Sequence, residues 1–288
     1  MSTKRVNEDY PANAKPMSDS QLKKIAEQQY KAEQASETKS KSFPTEIVEL
    51  PSKGRFYPEG HALSTGKIEM KYMTAKEEDI LTNQSYIKNG VVLDKLFQAL
   101  IVTPVNYNDV LLGDKNAIMV AARVLGYGKD YQISVTDEEG NKQTEVVDLT
   151  QLTDKELDWD RFDTEDAFKF ELPVSKRTVT VRHLTHGIQR KIDAELKGLK
   201  KLKKESADLT TRLKYQITSV DGDDSSSTIR KFVDNDLLAI DSRAIRKFIE
   251  KITPDINLKV NCLSEETGEP FRSNINIGLD FFWPDVEV

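Results

Sequence analysis

The chain has one cysteine, Cys262, in 288 residues. No intramolecular disulfide can form within it, and a reducing compartment is the simpler expectation. Long apolar runs are missing as well. No stretch approaches the roughly 20 residues that span a bilayer, and the N-terminus lacks a signal-peptide core, so a soluble protein made in the cytosol is expected. Positive charge is not in excess: the net charge of −6 and pI of about 5.4 argue against a general nucleic-acid binder. Histidine is scarce. His61, His183 and His186 include a close pair, but no cysteine or carboxylate completes a recognisable metal-ligand spacing around them. There is no glycine-rich phosphate loop, and Asp221-Gly222-Asp223-Asp224 lacks the spacing and closing glutamate of an EF-hand. Carboxylate pairs such as Glu77/Glu78 and Asp158/Asp160 are too common in so acidic a chain to name an acid and a base. The expectation is a protein that is not an enzyme and uses no metal or cofactor.

Hydrophobic residues make up 38% of the chain and charged residues 31%, which is polar for a globular protein but not low enough for disorder throughout. A small core with wide solvated helices fits this balance, as does a core completed by partners. Residues 1–45 are rich in Lys, Glu, Ser and Gln and are expected to form a flexible arm. Within the arm, Ser18 to Gln34 carries Leu22, Ile25 and Tyr30 among good helix formers, so folding on contact with a partner is an alternative to a plain tail. Charge is segregated along the rest. From Asp137 to Asp166 twelve acidic residues face three basic ones, whereas Arg190, Lys191, Lys197, Lys200, Lys201, Lys203 and Lys204 crowd one predicted helix. Such contrast suits docking to neighbours of opposite charge.

The fold class expected is α+β: helical layers with several β-hairpins, the whole divided into the arm, residues 46–150 and residues 151–288. Glu46 to Leu50 alternates like a short strand, and Lys67 to Tyr72 puts Ile68, Met70 and Tyr72 on one face. Thr74 with Glu77 three residues on forms a capping box, predicting one helix up to Gly90. A second helix runs from Val91 to Val102. A third is expected with Asp114 as N-cap and Gly126 as its stop, which makes residues 74–126 a three-helix layer. Residues 131–149 then form a hairpin about Asp137-Glu138-Glu139-Gly140-Asn141.

A second hairpin is predicted at 168–182. From Thr185 follows the longest helical stretch, whose apolar stripe continues through Leu209, Leu213, Ile217 and Val220, as a helical hairpin or a coiled-coil contact. Ile245, Phe248, Ile249 and Ile252 mark another buried helix face, closed by Pro254. The chain then forms a hairpin from Leu258, returning through Ile275, Ile277 and Leu279. This hairpin and the one at 131–149 each follow a helix, which suggests two related helix-plus-hairpin halves.

One stretch organises the rest: Leu50-Pro51-Ser52-Lys53-Gly54-Arg55-Phe56-Tyr57-Pro58, where two prolines bracket a glycine turn and an aromatic pair. This run, with Met73 to Leu81, Gly113 to Ile118, Ala121-Ala122-Arg123, Tyr127 to Tyr131 and Phe281-Phe282-Trp283-Pro284, resembles the baseplate hub and hub-assembly proteins of T-even-type contractile-tailed bacteriophages. The resemblance covers most of the chain after residue 46. It implies a structural or assembly protein of the tail baseplate hub, acting through protein–protein recognition in the host cytoplasm and the virion tail. The partners implied are other hub proteins, with no small-molecule substrate and no membrane. Some relatives carry paired cysteines at hairpins like 131–149 and 256–279, as in a zinc ribbon; here Cys262 alone remains, so backbone bonding and packing must hold those turns.

The contact residues expected are Lys53, Arg55, Phe56, Tyr57, Phe281, Phe282 and Trp283, each aromatic being open to the alternative of simply filling the core. A transient chaperone for a hub subunit is the first alternative function. A nucleic-acid-binding module using the helix around Lys200 is the second, disfavoured because no aromatic residues are interleaved with its lysines.

Overall fold

The computed structural model describes residues 44–202 and 207–282. The arm, with its conditional helix, and Trp283 lie outside the described residues. Strand β1 (Thr45–Glu49) pairs antiparallel with β2 (Lys67–Lys71), with Glu46 opposite Met70 and Val48 opposite Ile68. Alternation sends Ile68 and Met70 into the core, as the sequence predicts. Between the two strands lies the organising stretch, as a closed loop.

Helix α1 (Ala75–Thr82) starts at the expected Thr74/Glu77 capping box. It is shorter than predicted. The Asn83 side chain accepts from the N–H groups of Ser85 and Tyr86, which ends α1 and starts a separate helix α2 (Gln84–Asn89). Gly90, at φ 68°, then terminates α2, and α3 (Val92–Leu100) buries Val92, Leu96, Phe97 and Leu100.

Asp114 is not the cap of the next helix. Helix α4 spans Leu112–Tyr127 with Leu111 at its N-cap, so Asp114 falls inside the first turn, where its carboxylate reaches across to the loop. Gly126 does not end this helix either. A Cβ there would come 2.9 Å from the Met73 side chain, so Gly126 serves close packing, and the C-cap is Gly128 at φ 86°.

The hairpin β3 (Asp130–Thr136)–β4 (Lys142–Asp148) forms in the expected place. The next sheet holds a surprise. Strands β5 (Lys169–Glu171) and β6 (Thr178–Val181) are joined by β7 (Ile217–Val220), a segment expected to continue a helical stripe. A spacing of three suits a helix face rather than one face of a regular strand, but Ile217-Thr218-Ser219-Val220, rich in β-branched residues, pairs with β6 across a register shift at Thr180/Val181, and both Ile217 and Val220 are buried. Helix α5 (His186–Lys201), capped by Thr185, and α6 (Asp208–Gln216) lie against each other as a helical hairpin.

Helices α7 (Ser226–Lys231) and α8 (Ala239–Ile252) complete this part, with Asp241 accepting from the N–H groups of Val174 and Ser175 at the β5–β6 turn. The last hairpin is β8 (Lys259–Leu263)–β9 (Pro270–Asn274). Its return strand ends at Asn274, one further bond joins Ile275 N–H to the Leu258 carbonyl at 2.8 Å, and Ile275, Ile277 and Leu279 pack on the first core.

Two main cores result. The first gathers Leu50, Phe97, Ile118, Leu149, Phe281 and Phe282, so the C-terminal segment closes the core that the opening strands begin. The second joins the three-stranded sheet to Phe232, Ile245, Phe248 and Ile252. A small third cluster of Ile133, Val135, Cys262 and Phe271 lies between the two end hairpins, where the Ser264 hydroxyl also donates to Asp137 at 2.8 Å. Packing does hold those turns. Of the helices preceding the two hairpins, α4 belongs to the first core and α8 to the second, while the hairpins themselves meet in the third cluster. Among the described residues no helix is long and apolar enough to cross a membrane.

Candidate functional site

The loop at 50–66 is rigid by construction. Lys53 N–H donates to the Leu50 carbonyl at 2.8 Å, Arg55 N–H to Ser52 at 3.1 Å, and Leu50 N–H to Gly66 at 2.8 Å. Gly54 is required at φ 77°: a Cβ would come 2.3 Å from the Ser64 carbonyl oxygen. The underside is pinned to α4. The buried Asp114 carboxylate accepts from Ser52 N–H at 2.9 Å and from the Tyr57 hydroxyl at 2.7 Å, while that hydroxyl accepts from Leu111 N–H at 3.0 Å. Burial pushes the Asp114 carboxyl above its usual range against the opposing bonds from Tyr57 and Ser52. Burial and the neighbouring Asp114 charge likewise push the Tyr57 phenol up. Tyr57 is thus an internal strut.

The outer side of the loop carries a different chemistry. Phe56, half-buried, meets Phe162 edge-on at 4.8 Å, His183 at 4.5 Å and Phe168 at 6.0 Å, and stacks with Trp159 at 6.2 Å between ring centroids. Over the Trp159 ring stand the Lys53 ammonium at 4.8 Å and the Arg55 guanidinium at 5.7 Å, and Arg55 also pairs with Asp163. Trp159 itself remains partly exposed. Behind them His183 is buried with neither ring nitrogen hydrogen-bonded, and burial, aided by the Lys155 charge, lowers its pKa to about 4.

Around this aromatic centre the 154–166 segment forms an acidic ledge. Its basic residues are half-buried and engaged with backbone: Lys155 donates to the Glu250 and Thr253 carbonyls, and Arg161 to the Ala167 and Lys169 carbonyls while lying over the Phe248 ring. Asp158, Asp160, Asp163, Glu165 and Asp166 stay exposed, with Arg55 countering Asp163 and Lys169 countering Asp166. The surface therefore combines a tryptophan, two cations and a negative rim.

The remaining predicted contact residues go elsewhere. Phe281 and Phe282 are 0% exposed, Phe281 packing on Tyr131 at 4.7 Å and Phe282 on Phe97 at 6.2 Å, so both fill the first core and offer no contact surface. The structure brings Lys53, Arg55 and Phe56 together on one surface, turns Tyr57 beneath it, and leaves Trp283 outside the described residues. Sequence reasoning missed Trp159 and Phe162. Their signal is the alternation of aromatic and acidic residues in Asp158-Trp159-Asp160-Arg161-Phe162-Asp163, which is unusual for a plain solvated turn.

His186 belongs to a second cleft of about 610 Å³. Its Nε2 lies 3.3 Å from Asp94, and Lys115 bridges Asp94 at 3.0 Å and His186 Nδ1 at 3.3 Å. Burial would raise the Asp94 carboxyl, but the His186 hydrogen bond and the Lys115 charge outweigh it and hold the group below its usual range. Among the described residues no group of three or more His, Cys, Asp or Glu side chains is disposed to hold a metal ion.

A family model described as T4 bacteriophage base plate protein matches residues 43–283, which takes in the loop, the acidic ledge and both cores. The chain belongs to that family. No curated protein and no solved structure matches it significantly. Membership in this family ties the chain to the phage baseplate, is consistent with a structural or assembly role, and suggests interaction with other phage baseplate proteins. The basic side of this base plate protein is α5, where Arg190, Lys191, Lys197, Lys200 and Lys201 are exposed. Lys203 and Lys204 lie outside the described residues.

Proposed function

We propose that this base plate protein is a non-enzymatic component of the central baseplate hub, and that it recognises a neighbouring hub subunit through the surface centred on Trp159. The observation that carries this reading is the partly exposed Trp159 ring, stacked on Phe56 and overlain by Lys53 and Arg55 from a loop hydrogen-bonded within itself and to α4. Tryptophan and arginine anchors set on rigid scaffolds dominate protein interfaces, each costing about 2 kcal/mol or more when truncated. A negative rim around such an anchor selects a partner surface with an apolar socket and basic edges.

The test separates hub membership from transient assistance. Mass spectrometry of purified tails, beside the soluble assembly intermediates from infected cells, is expected to find this chain in both at a fixed ratio. Its presence in intermediates alone would make it an assembly chaperone instead. Its absence from both would refute a hub role.

A further inference from the structure

The two-stranded sheet at the start of the fold has one closed side and one open side. Beyond β2, the segment 101–103 closes the ladder: Met70 bridges to Ile101, and Val102 N–H donates to the Glu69 carbonyl at 2.8 Å. Beyond β1, among the described residues, no further strand pairs. The register pairs Glu46 with Met70 and Val48 with Ile68, and the flanking bonds join Pro44 to Tyr72 at 3.2 Å and Leu50 to Gly66 at 2.8 Å. Even-numbered residues therefore bond inward to β2. By the alternation of an antiparallel ladder, the N–H and C=O groups of Thr45, Ile47 and Glu49 point to the open side, and among the described residues none of them has a backbone partner there. Ile47 is 64% exposed on the solvent face of this sheet, and Val102, across Glu69 on the same face, is 46% exposed. An unpaired edge with an exposed β-branched residue at its centre is a template for another strand.

We propose that this edge joins two copies of the chain, β1 against β1 in antiparallel orientation, about a two-fold axis at Ile47. The register itself argues for a second copy. Outward-pointing residues must meet outward-pointing residues, so odd positions pair only with odd positions. Centring on Ile47 uses the whole strand, sets Ile47 against Ile47, Thr45 against Glu49, and Glu46 against Val48 of the other copy. No carboxylate then faces a carboxylate, and Glu49 keeps its own counter-ion, Lys67, at 3.6 Å. Shifting the axis to Glu46 would instead set Glu46 against Glu46, which is repulsive. A strand whose sequence is complementary to its own reverse suits the isologous contact of a two-fold dimer. An edge of five residues is smaller than the roughly 800 Å² per partner of a standard interface, so the dimer is reversible and concentration-dependent.

The experiment uses the full chain, whose single native cysteine is buried. In Ile47→Cys the two introduced thiols would sit on residues about 5.5 Å apart between Cα atoms, within disulfide range. Mild oxidation is expected to convert Ile47→Cys to a covalent dimer, and Glu46→Cys at least tenfold more slowly. Light scattering of the unmodified chain is expected to show mass rising towards the dimer with concentration. Ile47→Pro removes an outward N–H without breaking the β1–β2 ladder, and Ile47→Lys places two like charges on the axis; each is expected to weaken association at least tenfold. A chain that stays monomeric at about 100 μM overturns the proposal, whether because residues 1–43 or nothing at all occupies the edge. Equal cross-linking at positions 46 and 47 overturns it too.

Discussion

His183 should make the stability of this protein depend on pH in a way that one substitution removes. The ring is 8% exposed, packed against Phe56, Phe162 and Phe168, and has no hydrogen-bond partner, so protonation would bury an uncompensated charge near Lys155. Its pKa falls from 6.5 in the unfolded chain to about 4 in the fold. A histidine held neutral contributes its full share of stability above the unfolded value and loses it as pH falls from 6.5 through 4. From pH 7.5 to pH 4.5 the linkage amounts to about 2.5 kcal/mol, at up to about 1.4 kcal/mol per pH unit. Asp114 runs the other way. Its raised pKa favours the protonated fold, a contribution that is present below 3.8 and lost as pH rises through the folded value. Urea denaturation of the native chain and of His183→Phe at both pH values cancels Asp114 and every other shared group. The native chain is expected to lose about 2.5 kcal/mol more than the variant, whose phenyl ring needs no hydrogen bond. Equal losses in the two proteins would refute the assignment of His183 as a neutral, dry side chain.

Other perturbations test the parts around it. Tyr57→Phe leaves Asp114 and the Leu111 N–H without their shared hydroxyl, and chemical denaturation should register a loss of about 1–3 kcal/mol. Gly54→Ala must accommodate both φ 77° and the Ser64 carbonyl, so its melting temperature should fall by more than that of Gly140→Ala, where a Cβ meets nothing within 4 Å. Phe282→Ala should cost about 3–5 kcal/mol of stability, as a buried core side chain, and a loss under 1 kcal/mol would contradict its position in the first core.

Local signals in the sequence were strong where the chemistry is local. The capping box at Thr74, the helix start near Thr185, the turn at Asp137 to Asn141 and the buried face of α8 all follow from a few neighbouring residues, and the fold uses them as expected. Long-range competition explains the departures. Asp114 looks like a cap because aspartate commonly is one, but the loop 57 to 62 residues earlier in the chain claims its carboxylate. Ile217 and Val220 keep the helical spacing of three, and only pairing with β6, through a register shift at Thr180/Val181, makes the segment a strand. The site was half legible. The cations and Phe56 stand out beside Gly54, whereas Trp159 joins them from about a hundred residues away, and no spacing could announce that meeting. Phe281 and Phe282 show the reverse error, because an aromatic run at the end of a chain has the composition of an interface and of a core alike.

The most direct test of the recognition surface is a phage carrying Trp159→Ala together with Arg55→Ala, scored for this chain in purified tails and for its stability as an isolated protein. The reading predicts a folded, soluble chain that accumulates in infected cells and is missing from the baseplate, with assembly stalled. Normal incorporation of the doubly substituted chain would contradict it.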